Sequence, residues 1–88
     1  VNMTRALAVE WAGQGIRVNA IAPTWIRTAL TRGITESPEL VRRIEELTPM
    51  GRLGEPQDIV GAVLFLSTRA SALVTGHILA IDGGFLAQ

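Results

Sequence analysis

Catalytic chemistry has few places to reside in this sequence. Its 88 residues include one histidine, His77, no cysteine and no tyrosine, and all eight basic residues are arginine. Phenolate, thiolate, amine-nucleophile and Schiff-base chemistry are therefore closed to the chain, as are disulfides and cysteine-based metal sites. No metal site and no catalytic residue is read within it. The carboxylates add little: Glu55 and Asp58 stand where a helix begins and suit its positive end, and Asp82 precedes two glycines and suits a terminal turn or an intersubunit contact. Arg42, Arg43, Glu45 and Glu46 have the spacing of charge pairs on a solvated helix face. His77 opens an apolar run and is expected to be a structural residue at the start of a buried strand. Of the remaining side chains, two on the loop after Pro23 could meet a ligand. There Trp25 suits a substrate contact or hydrophobic lid as well as it suits packing. Arg27 could hold an acidic substrate or a phosphate, but an exposed loop arginine is the simpler reading.

The elements around that loop follow from pattern. Residues 1–12 are predicted helical, with Ala6, Leu7, Ala8, Val9, Trp11 and Ala12 apolar. No capping residue precedes them, so the helix is expected to begin before Val1. Gly13-Gln14-Gly15 ends it. Residues 16–22 are predicted to form a strand covered on both faces, which Pro23 closes because it lacks a donor. Residues 24–36 show no clean period and predict a loop with at most a short helix. Ser37-Pro38 is a helix start, with serine as cap and proline in the first turn, and that helix runs over 38–48. A third helix is predicted over 56–67. Its segment Ile59–Leu66 is apolar almost all round and is expected to be buried on most sides. A second strand is predicted over 77–81. Two strands joined by helical crossovers imply a parallel sheet. The fold class is therefore α/β: residues 1–88 are expected to be one end of a doubly wound fold, cut from its other half.

Composition excludes several function classes. Eight acidic and eight basic residues give a net charge of zero, so there is no basic stripe for nucleic acid. The run Ile59–Leu66 is too short to span a bilayer, and a soluble, cytoplasmic protein is expected. Hydrophobic residues make up 48% of the chain, a large share for a length that buries only about 60% of its unfolded surface. The apolar faces are expected to meet another chain or another part of the same protein.

Several blocks then resemble one family in order and spacing. They are Ala8-Val9-Glu10-Trp11-Ala12, Gly15-Ile16-Arg17-Val18-Asn19-Ala20-Ile21-Ala22-Pro23, Pro49-Met50-Gly51-Arg52-Leu53-Gly54-Glu55-Pro56, Phe65-Leu66-Ser67, and Val74-Thr75-Gly76-His77 running to Ile81-Asp82-Gly83-Gly84. Together they resemble the short-chain dehydrogenases/reductases over essentially the whole chain. The resemblance implies hydride transfer between NAD or NADP and a small carbonyl or alcohol substrate, in a homo-oligomer (a dimer or tetramer) with no nucleic-acid or membrane partner. It implies that the loop after Pro23 meets the nicotinamide. The Ile26 backbone would then bond the carboxamide, and the Thr28 hydroxyl would hold the carboxamide or the pyrophosphate. A carboxamide needs a donor and an acceptor, which a peptide and a hydroxyl supply. Ligands of open α/β sheets also bind beyond the carboxyl ends of the strands. One departure stands out, because the family places glycine where this sequence has Thr24.

The resemblance implies that residues 1–88 are the C-terminal segment of one doubly wound, Rossmann-type domain whose N-terminal half is absent, and it places the family's glycine-rich turn, catalytic serine and Tyr-x-x-x-Lys pair before Val1. Residues 1–88 alone are therefore expected to be inactive. They would supply the nicotinamide-side loop, a substrate lid over residues 29–48 and an assembly surface. The other hypothesis is a catalytically inactive structural or interaction module derived from the same fold.

Overall fold

The computed structural model describes residues 1–88. Helix α1 (Asn2–Trp11) passes into a tight turn at Ala12–Gln14, and Gly15 then takes the left-handed conformation. Strands β1 (Ala20–Pro23) and β2 (Ile78–Ile81) are parallel, with Ala20 opposite Ile78 and Pro23 opposite Ile81. Between them run α2 (Arg32–Thr35), α3 (Pro38–Leu47) and α4 (Gln57–Ser67). The two parallel strands and their helical crossover agree with the doubly wound reading. Helix α3 begins as expected: the Leu40 N–H donates to the Ser37 hydroxyl, and Pro38 occupies the first turn. Ile44 on its inner face is buried, and the Thr48 hydroxyl at its end donates to the Ile44 carbonyl at 2.8 Å.

Four expectations need correction. Strand β1 starts at Ala20, not at residue 16, because side chains take over the work of the ladder upstream. The Val18 N–H donates to the Thr75 hydroxyl at 3.1 Å. The Asn19 amide donates to the Val74 carbonyl, and its oxygen accepts from the His77 N–H, both at 3.0 Å. The strand also includes Pro23, since the ladder there uses the Thr24 N–H, which donates to the Ile81 carbonyl at 3.3 Å. Proline's missing donor is not called upon. His77 is exposed and precedes β2; its backbone, not its ring, is what the fold uses.

Helix α4 departs most from its pattern. It has no buried residue, and Val60 and Leu64 are 52% and 59% exposed. A two-stranded sheet offers too little surface to cover an all-round apolar helix. The same shortage shows in the whole molecule: its accessible surface is 6319 Å², whereas a compact chain of this mass exposes about 5,000 Å². Its radius of gyration is 15.5 Å, against about 12 Å for a compact domain of this length. Apolar faces are thus left uncovered within residues 1–88.

Candidate functional site

Beyond the carboxyl ends of both strands, three segments converge: the loop Pro23–Thr28, the turn through Met50–Gly54, and Asp82–Gly83. They enclose a cavity of about 170 Å³ lined by Thr24, Ile26, Leu53, Gly54, Ile81 and Gly83 among others. Ile26 is buried, and its side chain lies where a Gly54 Cβ would have to be. A single parallel bridge joins the two residues. In it the Gly54 N–H donates to the Trp25 carbonyl at 2.8 Å, and the Arg27 N–H donates to the Gly54 carbonyl at 2.9 Å.

That bridge decides the loop's chemistry. Along an extended backbone, successive peptide groups point to opposite sides. Because Trp25 C=O and Arg27 N–H face Gly54, the Ile26 N–H and C=O face away from it. The Ile26 carbonyl accepts from the Thr31 hydroxyl at 2.7 Å and retains a second lone pair. Its N–H has no protein acceptor. One donor and one acceptor thus stand side by side, with the exposed Thr28 two residues on. The Thr28 N–H donates to the Thr31 hydroxyl at 2.9 Å. Thr31 therefore braces both Ile26 and Thr28, a role the sequence reading missed. Its signal was the Thr-x-x-Thr spacing of a helix start.

The other loop residues separate. Pro23 is exposed at the strand's end. Thr24 causes no strain where glycine was the expected type, since no non-glycine residue has a positive φ. Trp25 is exposed and shares a shallow, mainly apolar depression with Thr24 and Phe85. Arg27 Nε lies 3.2 Å from Glu55 Oε1, both side chains about two-fifths exposed.

The segment behind the loop is held by charge. Arg52 meets both oxygens of Asp58, at 2.9 and 3.2 Å. Asp58 Oδ2 also accepts from the Glu55 N–H at 2.7 Å. The hydrogen bonds from Arg52 first, then that from the Glu55 N–H, hold the Asp58 carboxyl down from its ordinary 3.8 to about 2. A depressed carboxyl stabilises the fold fully above its ordinary value and loses that contribution as pH falls through the lowered one. The stability difference between wild type and Asp58→Asn is therefore expected to be constant above about pH 5 and to shrink between about pH 4 and 2. Melting curves across that range check it. A difference that stays constant down to pH 2 would show that the carboxylate is not held in this way.

These features define the class: an α/β protein of the doubly wound, Rossmann type, with its candidate site at the carboxyl edge of a parallel sheet. The family model described as Enoyl-(Acyl carrier protein) reductase matches residues 1–86, and the chain belongs to the short-chain dehydrogenase/reductase family. Galactitol 2-dehydrogenase (L-tagatose-forming) of Cereibacter sphaeroides is 54% identical over 83 residues, covering 94% of this chain and 33% of that protein. The crystal structure of a gluconate 5-dehydrogenase from Burkholderia cenocepacia J2315, in complex with NADP and tartrate, superposes with a TM-score of 0.94 at 32% identity. It covers 99% of this chain and 34% of that one. A short-chain type dehydrogenase/reductase from Mycobacterium ulcerans gives a TM-score of 0.93 at 37% identity, covering 99% of this chain and 32% of the other. The chain thus spans about a third of the length of the relatives it matches. No helix is long and apolar enough to cross a membrane.

Proposed function

We propose that residues 1–88 form the nicotinamide-side wall of a cytoplasmic, homo-oligomeric oxidoreductase that uses NAD or NADP. The observation that carries this reading is the Ile26 peptide, turned away from Gly54 by the bridge so that a free N–H and an available carbonyl lie together. A primary carboxamide is the complementary group, and the nicotinamide that bears it supplies or accepts a hydride. Within this chain, Pro23 ends the strand so that the loop can turn over the sheet edge. Ile26 orients the carboxamide through two hydrogen bonds, and the Thr28 hydroxyl adds a third. Trp25 and Arg27 border the substrate, the first with an apolar surface and the second with charge. Residues 29–48 act as the lid, and the exposed face of α4 belongs to the assembly surface. With neither tyrosine nor lysine present, the proton that accompanies hydride transfer is handled by groups outside residues 1–88. The substrate class is a polyol or sugar acid with a secondary alcohol or its ketone. The names of the galactitol and gluconate dehydrogenases among the relatives support that class.

The test uses Thr28→Val in a full-length chain carrying these residues, since it keeps the side-chain shape and removes the hydroxyl. A neutral hydrogen bond contributes about 0.5–1.5 kcal/mol, so the cofactor Kd is expected to rise from twofold to about tenfold with thermal stability almost unchanged. Arg42→Ala on the solvated face of α3 serves as the control. A folded Thr28→Val protein with wild-type cofactor affinity would remove Thr28 from the site.

A further inference from the structure

We propose that Glu55 is a positioning residue for the loop Pro23–Thr28, acting through Arg27. This rests on the nicotinamide-wall reading above and adds to it the group that holds the wall in place.

The bridge between Ile26 and Gly54 secures the loop at one point. The Thr31 hydroxyl, which meets Ile26 and Thr28, braces the loop from within and adds no further tie to the Gly54 segment. The ion pair between Arg27 and Glu55, at 3.2 Å, supplies a second point one residue along on each strand of the bridge. An exposed ion pair is usually weak, partly because two long side chains must be immobilised. Here the backbone of one partner is already fixed. The Glu55 N–H donates to Asp58 at 2.7 Å and its carbonyl accepts from the Asp58 N–H at 2.9 Å. Asp58 is in turn gripped by Arg52 through both oxygens. Arg52, Asp58, Glu55 and Arg27 therefore form a continuous chain of contacts from the turn at the sheet edge to the residue between Ile26 and Thr28. Helix-start charge explains Asp58, whose carboxylate bonds the backbone. It does not explain Glu55, whose carboxylate reaches out of its own turn to the loop.

Glu55→Gln removes the charge while keeping the shape. In the full-length enzyme, titrated with NADPH and with NADH, it is expected to raise the Kd of the preferred cofactor about two- to fivefold. The kcat should change less than twofold and the melting temperature hardly at all. The gap between wild type and variant should narrow as NaCl is raised from about 0.05 to 0.5 M. Arg27→Gln should raise Kd similarly, and the double variant should be no worse than either single one. The charge-exchanged pair Arg27→Glu with Glu55→Arg should recover most of the affinity. Glu46→Gln, which breaks the Arg43–Glu46 pair on α3, controls for loss of an ion pair elsewhere.

If Glu55→Gln leaves Kd at the wild-type value while Thr28→Val raises it, the tether is overturned and the nicotinamide wall stands. The tether is also overturned if Glu55→Gln lowers the melting temperature without moving Kd, or if it lowers the KM of an anionic substrate by releasing Arg27 to bind it. If Thr28→Val and Glu55→Gln both leave Kd unchanged, the wall itself fails.

Discussion

Arg17→Ala is expected to lower stability by about 2–4 kcal/mol, more than the loss of any other charged side chain in this structure. The Arg17 guanidinium donates to the Ser71 carbonyl and hydroxyl at 2.9 Å, to the Leu66 carbonyl at 3.0 Å, and to the Val74 and Thr68 carbonyls at 3.3 Å. Leu66 lies in the last turn of α4, where carbonyls lack intrahelical donors and a positive charge is favoured. Ser71, only 1% exposed, packs beneath. A single side chain thus closes the end of α4, the connector after it and the approach to β2 onto the approach to β1. Hydrogen bonds from a charged donor contribute about 1.5–3 kcal/mol apiece when buried, and partial exposure of several acceptors reduces the sum. Arg17→Lys is expected to recover less than half of the loss, because one ammonium cannot span acceptors that a planar guanidinium reaches in two directions. Urea unfolding measures both. A loss below about 0.5 kcal/mol, the range of an unremarkable surface substitution, would mean that the clamp contributes nothing.

Arg17 also marks the boundary of what the sequence could reveal. Its neighbours Ile16 and Val18 cast it as the polar side of a strand, a local inference from alternation. Its partners lie 49 to 57 residues away and are mostly backbone carbonyls. A carbonyl has no residue identity, so no pattern of side chains announces it. The same reason explains the shortened β1, where Asn19 and Thr75 replace ladder bonds with side-chain bonds to distant backbone. Legible features were those whose cause is local. The Ser37 cap and Pro38 start, the turn at Gly15, the helix beginning near Pro56 and the turn held by Asp82 each depend on residues within four positions. The parallel pairing was legible because helical crossovers leave few other arrangements. Helix α4 was legible as a helix but not as an exposed one, since its composition records what the helix is suited to contact and not how much of that surface these 88 residues supply.

The site divides along the same line. The loop Pro23–Thr28 was singled out as a candidate from its place after a strand and from the family resemblance. The three groups that shape it were not found: Gly54, Thr31 and Glu55. Thr31 was within reach, three residues from Thr28. Gly54 and Glu55 were not, because each acts on a residue 28 positions earlier, and glycine contributes by what it lacks. Its missing side chain admits that of Ile26.

Gly83→Ala is the other substitution expected to have a large effect, for a reason that can be isolated within this molecule. Gly83 has φ +61, where a non-glycine residue costs about 1–2 kcal/mol. An added Cβ would also lie 2.8 Å from Thr48 Cγ2 and 3.4 Å from Met50 Cβ. Thr48 cannot yield cheaply. It is 6% exposed, and its hydroxyl is committed to the Ile44 carbonyl at 2.8 Å. Overpacking of this kind costs about a further 1–3 kcal/mol, so a total of about 2–5 kcal/mol is expected. Gly15 supplies the comparison. Its φ is +76, yet nothing lies within 4 Å of where its Cβ would be. Gly15→Ala should therefore show the conformational cost alone, and the difference between the two variants measures the steric part. The consequence at Gly83 also reaches the site. Its carbonyl accepts from the Met50 N–H at 3.0 Å, and this bond seats the turn after α3 against the end of β2. That turn and Gly83, together with Ile26, wall the cavity at the sheet edge. Equal losses for the two alanine variants in urea unfolding would show that Thr48 moves aside freely and that this wall is softer than its packing implies.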